Sequence, residues 1–177
     1  KLSSNLSTLV GLLRGFQKNE LSASEVFDVE QMGRFFAVVE LWGAMLSIGC
    51  ANLVFYLNPI TMKIEPIGYD ANVSDRVPNE RISAGEIKLG DNDYSRAVLS
   101  SPEIFAVFDR TLRDLSNDIL KGNLLGKLQE LEQAYLPLLQ KEAFLLSELP
   151  WDNYIVERAR NLLKLSKEDL QESISYP

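Results

Sequence analysis

Apolar side chains recur at helical spacing along most of the chain, and this pattern predicts a mainly helical protein. In the first segment they lie three or four positions apart, which predicts an amphipathic helix over residues 5–18. A second helix is predicted over residues 29–46, with Ser24 or Asp28 as its N-cap, because short oxygen side chains accept bonds from free backbone amides. This second helix is apolar on nearly every face, which is typical of a central helix surrounded by others.

A β-hairpin is predicted immediately after the central helix. Residues 53–57 and 62–67 favour strands, and the intervening Asn58, Pro59, Ile60 and Thr61 suit a turn. Residues 69–93 have no regular pattern. A connection of this length within a compact domain is often functional or mobile.

The last third of the chain is predicted to be helical again. Ser101, Pro102 and Glu103 form a strong helix start, and the helix is expected to run to about Leu120. Further helices are predicted over residues 124–136 and 138–146, with Pro137 ending or kinking the helix between them, and a last one to about residue 165 with Asp152 as its cap. The expected fold class is therefore mainly α with one small hairpin, in one domain spanning residues 1–177.

Charge and hydropathy narrow the classes of partner. The net charge is −7 and the sequence pI is about 4.7. Binding to nucleic acid or to an anionic membrane needs clustered Lys and Arg, so neither is expected as a partner. No stretch of about 18 uninterrupted apolar residues occurs, so no membrane span is predicted either.

The residue types that are missing limit the possible chemistry. The chain has no histidine and a single cysteine, Cys50, which excludes Ser-His-Asp triads, Cys-His dyads and histidine metal sites. Acid–base chemistry would fall to Asp, Glu, Lys or Tyr, and Cys50 is interpreted as a packing residue. Because the sequence begins at Lys1 without a methionine, it is expected to be a fragment of a longer protein.

Asn52 and Asp70 flank the predicted hairpin, 18 positions apart. A hairpin returns the chain on itself, so the two side chains are expected to be neighbours in space. Amide and carboxylate oxygens are suitable ligands for Mg²⁺, which usually takes one or two protein ligands and completes its shell with phosphates and water. Protein kinases hold their metals with an Asn and an Asp in this way. The alternative is that both residues cap turns at strand ends.

Residues 27–73 resemble the catalytic-loop region of the spore coat protein H (CotH) kinase-like family. The family pattern has a "D-V/I-D" helix start, matched by Asp28-Val29-Glu30, an apolar helix, and an "N-x-x-x-Y" strand, matched by the segment from Asn52 to Tyr56. A hairpin and a "W/Y-D-x-D" end follow, and Tyr69-Asp70 matches the beginning of that end.

This resemblance implies the C-terminal lobe of an atypical protein-kinase-like fold that transfers phosphate from ATP to secreted or cell-surface proteins. Mg and ATP would be the cofactors, a protein would be the substrate or partner, and the localisation would be extracytoplasmic. Asn52 and Asp70 would be the metal ligands. Asn72 stands where the family has a second acidic ligand, and Ser47 stands at the position of the catalytic-loop Asp, about five residues before Asn52.

The departures from the family pattern leave three interpretations open. Ser47 cannot accept a proton as a carboxylate would, Asn72 lacks a charge, and neither a Gly-rich phosphate loop nor a strand lysine is identifiable. The chain is therefore a kinase-like domain with a degraded catalytic motif, a non-catalytic scaffold with the same fold, or an unrelated helical interaction domain. In each case this chain alone is expected to be inactive as a kinase.

Overall fold

Helices dominate the protein in a computed structural model, which describes residues 2–49, 52–71, 94–142, 151–165 and 169. The predicted fold class, mainly helical with one small antiparallel sheet, is confirmed. The elements in chain order are α1 (Leu2–Gln17), α2 (Ala23–Val26), α3 (Val29–Trp42), a 3-10 helix (Met45–Ile48), β1 (Val54–Leu57), β2 (Ile64–Ile67), α4 (Tyr94–Leu99), α5 (Pro102–Leu120), α6 (Asn123–Leu139) and α7 (Trp151–Leu163).

Asp28 determines where α3 begins, and Gly43 determines where it ends. Asp28 is its N-cap and accepts a bond from the backbone N–H of Gln31 at 2.9 Å, so the prediction for Asp28 is confirmed. Ser24 is not a cap; Ser22 caps the short helix α2, which the sequence pattern did not predict. At the other end Gly43 is left-handed, with φ of 67°, and stops α3 four residues earlier than expected.

Helix α3 lies at the centre of the fold and packs mainly against α5, with smaller contacts to α7 and β2. Met32 and Phe36 are fully buried within one hydrophobic core shared by the described elements. The expectation that α3 is buried on every face is wrong, because Val38 is 48% exposed and Arg34 also faces solvent. An apolar residue on the helix surface is common and does not require a covering element.

A buried ion pair connects α3 to α7. The Glu40 side chain is completely buried and that of Arg158 is 3% exposed. Arg158 donates from Nε to the backbone carbonyl of Glu40 at 2.6 Å and from Nη2 to its Oε1 at 3.1 Å. Beside this pair the Tyr154 hydroxyl lies against Gly43 and leaves no room for a Cβ there.

The hairpin is attached to the start of α3. β1 and β2 are antiparallel, with Leu57 opposite Ile64, and both of these side chains face the core. The backbone N–H of Asp28 donates to the carbonyl of Ile64 at 3.0 Å, so the N-cap of α3 also holds β2. Lys63 donates from Nζ to the carbonyls of Ser24 and Glu25, which ties the hairpin to α2.

The C-terminal helices agree with the sequence prediction in part. Helix α5 begins and ends as expected, whereas α6 continues through Pro137 for two residues before it ends. Asp152 lies inside α7 and is not its cap, because the helix begins at Trp151. Helix α4 was not predicted, and the predictions for residues 72–93 and 143–150 lie outside the described residues.

Among the described helices, none has the length and apolar character needed to cross a membrane.

Phe36→Ala is expected to lower the free energy of unfolding by about 3–5 kcal/mol, since it deletes a fully buried aromatic ring from the core. Val38→Ala on the same helix is the matched control, and its half-exposed side chain predicts a change of about 0.5 kcal/mol or less. Urea unfolding of both variants measures the difference. Equal losses would contradict the assigned orientation of α3.

Arg158→Met is expected to cost about 3–5 kcal/mol, because it leaves the buried Glu40 carboxylate without its cation. The double variant Glu40→Leu with Arg158→Met should be more stable than Arg158→Met alone, since it removes both charges together. Chemical denaturation of the wild type, Arg158→Met, Glu40→Leu and the double variant gives the four free energies of a double-mutant cycle. Additive losses would show that the two residues do not interact.

Candidate functional site

Asn52 and Asp70 meet at the open end of the hairpin, as the sequence predicts. Asn52 donates from Nδ2 to Asp70 Oδ2 at 3.0 Å and, from the same nitrogen, to the carbonyl of Leu46 at 3.0 Å. The strand register produces this contact, because Val54 pairs with Ile67 and the residues just beyond both strands must then lie side by side. The amide thus joins the 3-10 helix, β1 and the segment after β2.

The orientation of the Asn52 amide determines what this pair can do. Its nitrogen faces two acceptors, so its oxygen is turned away from Asp70. A cation shared with Asp70 would need the amide oxygen, and rotating the amide would place that oxygen against the Leu46 carbonyl. In this conformation the pair is a hydrogen-bonded bridge. No group of three or more acidic or Cys side chains that could hold a metal occurs within the described residues.

Asp70 has a left-handed backbone with φ of 50°. Non-glycine residues rarely adopt this conformation, but Asp and Asn tolerate it because their short polar side chains bond locally. The turn aims the Asp70 carboxylate back towards Asn52. The two side chains are therefore hydrogen-bonded neighbours at the base of the hairpin.

Ser47, at the position of the family's catalytic Asp, lies inside the 3-10 helix. Its side chain is completely buried, and its hydroxyl donates to the carbonyl of Ala44 at 2.7 Å. The neighbouring Leu46 is 56% exposed, so the chain turns the apolar residue outward and the serine inward. A hydroxyl held in this way stabilises the loop.

Ser95 supports the same loop and was missed by the sequence analysis. Its buried hydroxyl donates to the carbonyl of Ile48 at 2.7 Å, which connects α4 to the 3-10 helix. The two residues are 47 positions apart, and no periodicity or motif relates them. Asn72, the third residue proposed as a metal ligand, lies outside the described residues, as does Cys50.

The altered pKa values near the hairpin have structural causes. Hydrogen bonds from the Ser22 backbone and then its hydroxyl, together with the charge of Lys63, lower the pKa of Glu25 despite partial desolvation. Burial raises the pKa of Tyr94, whose ring packs against Phe16 and Phe55. The first shift arises mainly from the capping box of α2, and the second from the packing of Tyr94 between α1 and β1.

The outward side of the hairpin carries exposed apolar residues. Tyr56 and Ile67 share the sheet face that points away from Leu57 and the core, and they are 47% and 43% exposed. Tyr69, next to Asp70, is 58% exposed. These three side chains define what we call the hairpin face. Aromatic and aliphatic side chains grouped in this way are typical of protein contact surfaces.

No protein-family model, curated protein or solved structure matches this chain. The resemblance to the CotH kinase-like family therefore depends on sequence motifs alone, of which that of residues 27–73 is the clearest.

Asn52→Ala is expected to lower the free energy of unfolding by about 1–2 kcal/mol, because Leu46 and Asp70 lose their shared donor. Asp70→Asn is the matched comparison. It keeps an acceptor oxygen and tolerates a positive φ, so a loss of about 0.5 kcal/mol is expected. Urea unfolding at neutral pH distinguishes the variants. A larger loss for Asp70→Asn would show that the carboxylate charge dominates the contact.

Proposed function

We propose that this chain is a non-catalytic protein-binding module whose fold is related to the helical lobe of kinase-like proteins. The observation that carries this proposal is the burial of Ser47 at the catalytic-loop position, with its hydroxyl bonded to the Ala44 carbonyl. Phosphoryl transfer in protein kinases uses a loop carboxylate that accepts the substrate hydroxyl proton. A buried serine provides neither the carboxylate nor the access.

The Asn52–Asp70 contact supports a structural role for the second half of the motif. Its amide nitrogen bonds both the Leu46 carbonyl and the Asp70 carboxylate, which stabilises the base of the hairpin. The hairpin is in turn held by Asp28 and Lys63. A rigid hairpin presented in this way is suited to recognition, since little conformational entropy is lost when a partner binds.

The hairpin face is the proposed contact surface, and its proposed partner is a protein with an apolar patch surrounded by basic residues. Tyr56, Ile67 and Tyr69 provide the exposed apolar area. The net charge of −7 favours approach by a basic surface and disfavours nucleic acid. Aromatic side chains at the centre of such a contact contribute most of the binding energy.

The second candidate function is Mg²⁺-dependent phosphotransfer from ATP by a longer protein that contains this chain. The specific observation in its favour is that Asn52 and Asp70 are neighbours, as the kinase-like motif requires. By the resemblance Asp70 and Asn72 would be the metal ligands, and Asn52 would join them only after its amide turned over. A secreted or cell-surface protein substrate and an extracytoplasmic location belong to this candidate.

Calorimetric titration of the chain with ATP, with and without Mg²⁺, separates the two candidates. We expect no Mg²⁺-dependent binding and no transfer of labelled phosphate, because a site without a phosphate cradle or a loop carboxylate loses most of its transition-state stabilisation. The control variant is Asp118→Ala, at an exposed position of α5. The second candidate would be established instead if ATP bound in a Mg²⁺-dependent manner and this binding were lost in Asp70→Ala but kept in Asp118→Ala.

The binding surface is tested with a photo-cross-linking amino acid at position 56, compared with one at position 118. A partner captured at position 56 alone is then purified and titrated against the protein. Binding should be lost in Tyr56→Glu and unchanged in Asp118→Ala. A partner that binds Tyr56→Glu as well as the wild type would refute the hairpin face as its contact surface.

A further inference from the structure

We draw no further inference here: the strongest candidate, the exposed apolar surface of helix α6 formed by Leu131, Tyr135 and Leu138, carries nothing because nothing in the structure shows what covers it.

Discussion

The burial of α3 is the constraint on which the rest of the structure depends. Its first residue is preceded by Asp28, whose side chain caps the helix while its backbone N–H holds β2. Near its other end Glu40 holds Arg158 of α7 within the core. Because both ends of one buried helix carry these contacts, the hairpin and the last helix are positioned relative to each other through α3.

The loop that follows α3 uses its polar side chains to bond its own backbone. Gly43 ends the helix and the chain forms a 3-10 turn, which directs the Ser47 hydroxyl inward and leaves the Leu46 carbonyl available to Asn52. Ser95 of α4 fixes the end of the same turn. Ser47 and Asn52 therefore satisfy backbone carbonyls of the loop, which would otherwise be costly to bury.

The exposed apolar side chains lie where the core does not reach. The hairpin buries Leu57 and Ile64 on one face and leaves Tyr56 and Ile67 on the other, since alternate strand residues point to opposite sides. Helix α6 has no fully buried residue, and Leu131, Tyr135 and Leu138 are exposed along it. These exposed side chains are features of the described residues that suit association with other proteins.

Local chemistry determined much of this protein from sequence alone. The start of α5 at Pro102 depends on neighbouring residues and was predicted correctly, and Asp28 is the cap of α3 out of the two candidates, Ser24 and Asp28, that the sequence offered. The contact between Asn52 and Asp70 was also predictable, because a hairpin necessarily brings its two ends together.

Tertiary structure decided the features that depend on residues far apart in the chain. The inward orientation of Ser47, the amide orientation of Asn52 and the pairing of Glu40 with Arg158, 118 positions away, follow from how elements pack. The exposure of Val38 likewise depends on which helices surround α3. A sequence specifies which groups need partners, but burial and distance, which select those partners, exist only once the chain has folded.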